Sequence, residues 1–138
     1  MVNNDVLLNK VTIIERCIIR IQEVYANNPD NLKNFTKQDS IILNIQRACE
    51  ACIDIAMHII SERKLGLPKS SREAFKLMEE AGIINQNSAK ALMNMVGFRN
   101  IAIHYYQNID LGILQAIIEK HLSDFTDYTR VILNLLNE

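Results

Sequence analysis

Five polar side chains stand close together near the end of an otherwise apolar segment, GFRNIAIHYYQNID. They are Arg99, Asn100, His104, Tyr105 and Tyr106. Histidine titrates near neutral pH and can move a proton. An arginine guanidinium can donate two parallel hydrogen bonds to a phosphate, and it stabilises charge that develops on that phosphate. An arginine and a histidine in one cleft would suit metal-independent cleavage of RNA, in which the ribose 2′-hydroxyl attacks the adjacent phosphate.

The spacing of these residues distributes them around one predicted helix, where successive residues are about 100° apart. Asn100 and His104 are four residues apart and lie side by side, while Arg99 and Tyr106 are seven apart and share a face. Arg99 and His104 lie roughly 140° apart. They diverge on one helix, but they could meet in a groove beside a neighbouring helix. If a two-fold axis related that neighbour to this helix, both copies of each residue would line one cleft.

The helix that carries these residues is predicted to be apolar nearly all the way round. Its apolar members are Leu92, Met93, Met95, Val96, Phe98, Ile101, Ala102 and Ile103. Such a helix is usually buried or shared with a partner. Because a buried guanidinium is costly unless it is paired, Arg99 needs a carboxylate, a partner surface or an anionic ligand. Glu50 or Asp54 of the preceding long helix could supply the carboxylate.

Other kinds of site have less support. The three histidines, His58, His104 and His121, are widely scattered and form no recognisable metal-ligand pair. The chain has neither a nucleophile signature nor a glycine-rich phosphate loop. We therefore expect no metal and no other cofactor.

The three cysteines are predicted to serve packing rather than chemistry. Cys49 and Cys52 form a CxxC motif, but it lies within a periodic apolar pattern and has no second pair. A buried free cysteine behaves as a small hydrophobic residue. An odd number that also includes Cys17 indicates free thiols in a reducing compartment.

Length and composition predict one globular domain over residues 1–138. The chain is 49% hydrophobic and 22% charged, and its net charge is -1. This near-neutral net charge argues against strong non-specific binding to nucleic acid, although it allows a local basic cleft. No signal peptide or membrane-length apolar run is recognisable, so no membrane association and a cytoplasmic location are expected.

Periodicity predicts an all-α fold, an up-and-down bundle of four long helices and one short helix. The long helices are predicted over Asn3–Ala26, over Asp39–Lys64, from Asn87 or Ser88 to Tyr106, and from Asp110 almost to the end. The short helix lies in SSREAFKLMEEAG, where Ser70 and Glu73 have capping-box spacing. Asp110 is the predicted N-cap of the last helix.

The residues around the motif resemble a known family. RNIAIHYY has the form R-N-x-x-x-H-x-Y, which resembles the signature of HEPN-domain ribonucleases and, more closely, that of HepT toxins from HEPN/MNT toxin–antitoxin modules. The resemblance extends over nearly the whole chain, through IQRACEACIDIAMHIISE, GLPKSSREAFKLMEEAGII, MVGFRNIAIHYYQNID and SDFTDYTRVIL. It implies a helical homodimer with the active cleft at the dimer interface.

The resemblance also implies residue roles and partners. Arg99 and His104 would be the catalytic pair of a metal-independent endoribonuclease acting on RNA, with Asn100 supporting them. A cognate MNT antitoxin, a minimal nucleotidyltransferase, could neutralise the toxin by transferring AMP from ATP to Tyr106, by occluding the cleft, or by both. A bulky anion beside Arg99 would occupy the phosphate site and repel RNA.

Asp54 and Arg47 match less definite polar positions of the family and are candidates for orienting the catalytic pair. Two other functions stay open. The chain could be a non-catalytic subunit that completes the substrate site of a small nucleotidyltransferase, with Arg99 binding a nucleotide phosphate. It could also be a helical scaffold dimer whose motif residues pair only with one another.

Overall fold

Helices account for nearly all of the computed structural model, which describes residues 4–137. The α-helices are α1 (Asn4–Tyr25), α2 (Phe35–Arg63), α3 (Ser71–Glu80), α4 (Gln86–His104), α5 (Leu111–Ala116) and α6 (Leu122–Leu136). A π-helical turn, Ile117–His121, joins α5 to α6, and 3-10 turns cover Pro29–Lys33 and Tyr106–Asn108. No residue from 4 to 137 lies in a strand, and the prediction of an all-α bundle is confirmed.

The core forms where α1 and α2 pack along each other and α6 closes over them. Its apolar side chains recur at helical spacing, so that each helix buries one stripe. The aromatic centre of the core joins three helices. The rings of Phe75 on α3 and Tyr128 on α6 pack edge to face, with centroids 6.0 Å apart. The Tyr128 hydroxyl donates to the backbone carbonyl of Cys52 on α2, so this buried polar group is satisfied.

Side-chain caps fix where the helices begin. The side chains of Asn34, Ser70, Asn85 and Asp110 each accept a hydrogen bond from a backbone N–H of the first helical turn. The predicted caps at Ser70 and Asp110 are thus confirmed. Because Asn34 caps α2, this helix begins at Phe35 rather than at the predicted Asp39. The predicted start of the first helix at Asn3 lies outside the described residues.

The end of α4 differs from the prediction in a way that matters for the site. The helix ends at His104, and the last helical hydrogen bond runs from the Tyr105 N–H to the Ile101 carbonyl. The chain then tightens into a 3-10 turn, in which the Asn108 N–H bonds the Tyr105 carbonyl. The prediction that Tyr106 continues the helix is therefore wrong.

The last predicted helix also departs from a regular α-helix. Asp110 starts it as expected, but a π-helical turn separates α5 from α6. This turn is wider than an α-helical turn because its hydrogen bonds span five residues instead of four. Glu119 in this turn accepts a hydrogen bond from the Tyr25 hydroxyl at the end of α1. This contact ties the irregular turn to the first helix.

All three cysteines are free and buried, which confirms that Cys17, Cys49 and Cys52 pack in the core. Burial raises the pKa of the Cys49 thiol to about 12. Across residues 4–137, no helix combines the length and the hydropathy that spanning a membrane requires.

Candidate functional site

Arg99 lies on α4 and is held between two other helices. Its Nη1 donates to Oε1 of Glu50 on α2 at 2.8 Å, and its Nη2 donates to the hydroxyl of Ser71 at the start of α3 at 3.3 Å. Its Nε is buried and has no hydrogen-bond partner among residues 4–137. The Arg99 side chain is 17% exposed and that of Glu50 is 42% exposed. Glu50 therefore supplies the carboxylate that a buried arginine requires, while the Nε N–H of the guanidinium stays unpaired among the described residues.

His104 ends α4 and is exposed. Its ring packs edge to face against Tyr105, with centroids 6.4 Å apart. Among the residues from 4 to 137, Arg99 and His104 form no hydrogen bond with each other, as expected from their angular separation on one helix. Within one chain, the predicted catalytic pair therefore flanks the exposed end of α4 from two sides.

Asn100 faces away from Arg99. It lines a groove of about 790 Å³ between α4 and the α5–α6 segment, together with Ile101, Ile113 and His121. Arg72 lies at the α3 side of the same groove, and its Nε donates to the Met93 carbonyl. The structure thus separates Asn100 from the Arg99 side chain, although the two residues are adjacent in sequence.

Tyr106 leaves α4 and reaches α2. It lies in the 3-10 turn after the helix, and its hydroxyl donates to Oδ1 of Asp39. The side chain is 39% exposed. Burial, followed by the hydrogen bond and the negative charge of Asp39, raises the pKa of Tyr106 to about 12. Arg99 and Tyr106 therefore both point toward α2, although they do not share a helical face.

The two links between α2 and the motif show that α2 and α4 run in opposite directions. Asp39 pairs with Tyr106, and Glu50, further along α2, pairs with Arg99, which comes earlier in the chain. Leu43 shares the face of α2 that carries Asp39 and Glu50, since it lies four residues after one and seven before the other.

Apolar side chains are exposed along this α2–α4 face, which we call the motif face. They are Leu43, Ile103 and Tyr105, with Phe35 at the start of α2. Ile103 lies one turn beyond Arg99 and is 44% exposed. Contiguous exposed apolar residues of this kind mark interaction surfaces. The helix predicted to be apolar all round thus has a buried face and exposed apolar residues on two other sides, Ile103 near Arg99 and Ile101 in the groove.

The two candidate orienting residues lie elsewhere on α2. The Asp54 carboxylate accepts from Lys10 Nζ of α1 at 2.9 Å. Arg47 lines a second groove of about 440 Å³ with Arg16 and Arg20 of α1. The structure therefore does not bring Asp54 or Arg47 together with the motif.

Sequence reasoning missed Asp39 and Ser71. The sequence predicts Asp39 only as the start of a helix, and it predicts no role for Ser71. The eleven-residue spacing of Asp39 and Glu50 does place both on one face of a helix. That spacing does not reveal which residues of α4 they meet, because the pairing depends on the relative direction of two helices.

This arrangement provides an oriented cation and an exposed imidazole near the end of α4, and a partly exposed phenol on the turn that follows. The cation is suited to an anionic phosphate and the imidazole to proton transfer. Tyr106 itself is 39% exposed, and its hydroxyl bonds Asp39.

Comparison with known proteins relates the whole bundle to one family. Residues 14–132 match the family model described as Ribonuclease HepT-like. The chain is 48% identical to the mRNA nuclease HepT of Shewanella oneidensis over 129 residues, which cover 94% of this chain and 97% of the relative. It is 31% identical to the tRNA nuclease HepT of Aphanizomenon flos-aquae over 103 residues, covering 75% of this chain and 70% of the relative.

The fold is also similar to that of a solved complex. The structure described as a tri-AMPylated Shewanella oneidensis HEPN toxin in complex with an MNT antitoxin superposes with a TM-score of 0.90. The two chains are 47% identical, and the match covers 96% of this chain and 99% of the other. The family match over residues 14–132 includes the segment from Arg99 to Tyr106.

Proposed function

Because the chain belongs to the HepT-like ribonuclease family, we propose that it is the toxin of a toxin–antitoxin pair. It is a metal-independent endoribonuclease that acts in the cytoplasm. A nucleotidyltransferase antitoxin neutralises it. The observation that carries the proposal is the position of Arg99, fixed by Glu50 and Ser71 beside the exposed end of α4 that bears His104.

Arg99 and His104 divide the chemistry of RNA cleavage between them. The Arg99 guanidinium has further N–H groups besides those bonded to Glu50 and Ser71, and these contact the scissile phosphate. The ribose 2′-oxygen forms a bond to phosphorus while the bond to the 5′-oxygen breaks. His104 moves the proton that the 2′-hydroxyl releases or the 5′-oxygen accepts. Asn100 supports RNA from the groove side of α4.

The active cleft forms between two copies of the chain. In one chain, Arg99 and His104 lie on two sides of the exposed Ile103. A two-fold axis at the motif face buries this residue against its symmetry mate and brings the Arg99 of one copy toward the His104 of the other. A homodimer therefore buries the exposed apolar side chains of the motif face and brings together the residues of the active site.

The antitoxin acts on Tyr106. This residue is partly exposed on a turn outside α4, where a second enzyme can reach it without unfolding a helix. Transfer of AMP places a bulky anion on the same side of the bundle as Arg99. That anion competes with the RNA phosphate for the guanidinium.

Cleavage of RNA in the presence of EDTA tests the enzymatic proposal. We expect the wild type to cleave, and we expect Arg99→Ala and His104→Ala each to lower the rate about 100-fold or more. Arg130→Ala is the matched control, because this exposed arginine lies on α6 and pairs with Asp127 of the same helix. An inactive wild type, or a His104→Ala variant of unchanged rate, would reject the proposal.

A second function, the non-catalytic subunit of a nucleotidyltransferase, is favoured by the net charge of -1. A chain with so few unbalanced cations has little sequence-independent affinity for RNA. Under this alternative, Arg99 contributes to nucleotide binding and no RNA is cut. Toxicity on expression without the partner, abolished by Arg99→Ala, separates the two functions.

A further inference from the structure

The contact between Tyr106 and Asp39 links the turn after α4 to the first part of α2. The phenol donates its proton to Oδ1 of Asp39, across 67 positions of sequence. The rest of the turn is held by local backbone bonds, from the N–H groups of Asn108 and Ile109. The carboxylate is thus the side-chain partner of the Tyr106 hydroxyl.

A tyrosine in this setting is a poor nucleophile without help. With the pKa of Tyr106 raised to about 12, roughly one phenol in 100,000 is ionised at pH 7. A nucleophile of this kind needs a base in contact with its proton during the attack. A carboxylate oxygen can accept this proton, and Asp39 already accepts the hydrogen bond in which the proton lies.

We propose that Asp39 positions Tyr106 and accepts its proton when a nucleotide is transferred to the phenol oxygen. This inference rests on the proposed modification of Tyr106, and it assigns part of the transfer chemistry to the toxin itself. The partner supplies a nucleoside triphosphate and holds its phosphates. This chain provides both the acceptor oxygen, on Tyr106, and the base, Asp39.

The transfer step conserves atoms and charges. The Tyr106 oxygen forms a bond to the α-phosphorus of the nucleoside triphosphate. The bond from that phosphorus to the oxygen bridging it to the β-phosphorus breaks, and pyrophosphate leaves with the electron pair. The phenol proton passes to the Asp39 carboxylate and then to water. The product is an aryl phosphodiester that carries one negative charge.

The product cannot restore the original contact. Its phenol oxygen has no proton to donate, and its phosphate lies close to the Asp39 carboxylate, so that two anions repel each other. The modified side chain therefore leaves Asp39. Modification replaces the link between the turn and α2 with a repulsion between them.

The rate of AMP addition to the purified chain tests this inference. The chain is mixed with the partner nucleotidyltransferase and ATP, and intact mass is followed between pH 6.5 and 9.5. Asp39→Asn keeps the size of the side chain and an oxygen acceptor but loses the basicity. Asp127→Asn is the matched control, since Asp127 is exposed on α6 and pairs with Arg130 of the same helix.

We expect Asp39→Asn to slow addition at pH 7 by about 100-fold or more, the usual contribution of a general base. Its rate should then rise about tenfold per pH unit, because it depends on free phenolate, while the wild-type rate stays nearly flat. A positioning role alone would lower the rate by one factor at every pH. Equal rates for the two proteins, or such a constant factor, would overturn proton acceptance by Asp39.

The same measurement separates this inference from the function on which it rests. Wild-type addition that Tyr106→Phe abolishes supports Tyr106 as the modified residue, whatever Asp39→Asn does. No addition to the wild type, or addition to Tyr106→Phe at the wild-type rate, would overturn both the modification of Tyr106 and the role of Asp39 in it.

Discussion

The guanidinium of Arg99 and the carboxylate of Glu50 meet at 2.8 Å and join α4 to α2. The pair is partly buried, and a third group, the Ser71 hydroxyl, accepts from the same guanidinium. Two acceptors at fixed positions define the plane of the fork, which a single flexible ion pair would not do. Arg99 is therefore oriented before any ligand binds.

Replacing Arg99 by lysine tests the importance of that orientation. A lysine ammonium keeps the charge but has no planar fork, so it cannot reproduce both contacts of Arg99. We expect Arg99→Lys to slow RNA cleavage by about 10-fold or more. The free energy of unfolding should fall by less than about 1 kcal/mol, because the Glu50 side chain can rotate into solvent. Cleavage assays paired with thermal melts measure the two effects. Wild-type activity in Arg99→Lys would show that charge alone suffices.

A charge on the motif face should separate the proposed dimer. Ile103 is 44% exposed beside Arg99, and in the dimer it would be buried against the partner copy. We expect Ile103→Lys to weaken dimerisation about 100-fold, because an unpaired charge would be desolvated. Analytical ultracentrifugation over a range of concentrations measures the change.

The matched control for this interface is Ile19→Lys. Ile19 is 54% exposed on α1, a helix that contributes no residue to the motif face, so the lysine should leave the association constant unchanged. A wild type that is monomeric at high concentration, or an Ile103→Lys variant that dimerises normally, would contradict the two-fold cleft.

Alkaline pH should weaken the contact between α1 and the π-helical turn. Burial and the Glu119 hydrogen bond raise the pKa of Tyr25 to about 12, from an ordinary value of 10.0. Below pH 10 the phenol is protonated in both states, and its contribution to stability is complete. Above pH 10 the unfolded chain ionises first, so that about 2 kcal/mol is lost as the pH rises to 12.

Tyr25→Phe isolates this effect. The variant loses the Glu119 hydrogen bond and should be about 1 kcal/mol less stable at pH 7, but its stability should fall less between pH 10 and 12. Denaturant unfolding at several pH values gives both quantities. Tyr105→Phe, at an exposed position, should follow the wild-type pH profile. Parallel curves for Tyr25→Phe and the wild type would contradict the prediction.

Cys52 should tolerate an apolar replacement better than a polar one. It is fully buried on α2, and burial raises the pKa of its thiol well above the ordinary value. Cys52→Ser places a hydroxyl among apolar side chains and should cost about 1–3 kcal/mol. Cys52→Ala leaves only a small cavity and should cost less. Thermal unfolding compares them, and a Cys52→Ser variant as stable as the wild type would argue against the packing role.

Much of the bundle is predictable from local signals. Ser70 and Asp110 are recognisable as caps because serine and aspartate accept from the first backbone N–H groups wherever a helix follows. The buried stripes follow from the spacing of apolar residues. The end of α4 is not predictable in this way, since RNIAIHYYQN continues a helical pattern and no proline or glycine interrupts it.

The sequence by itself determined the types of element, the buried faces and the set of reactive side chains near Arg99, because these depend on residues close in the chain. Only the tertiary structure decided which carboxylates those side chains meet. Glu50 and Asp39 lie 49 and 67 positions from their partners, and they pair because α2 and α4 run in opposite directions. That direction is set by the packing of the whole core, which no local pattern contains.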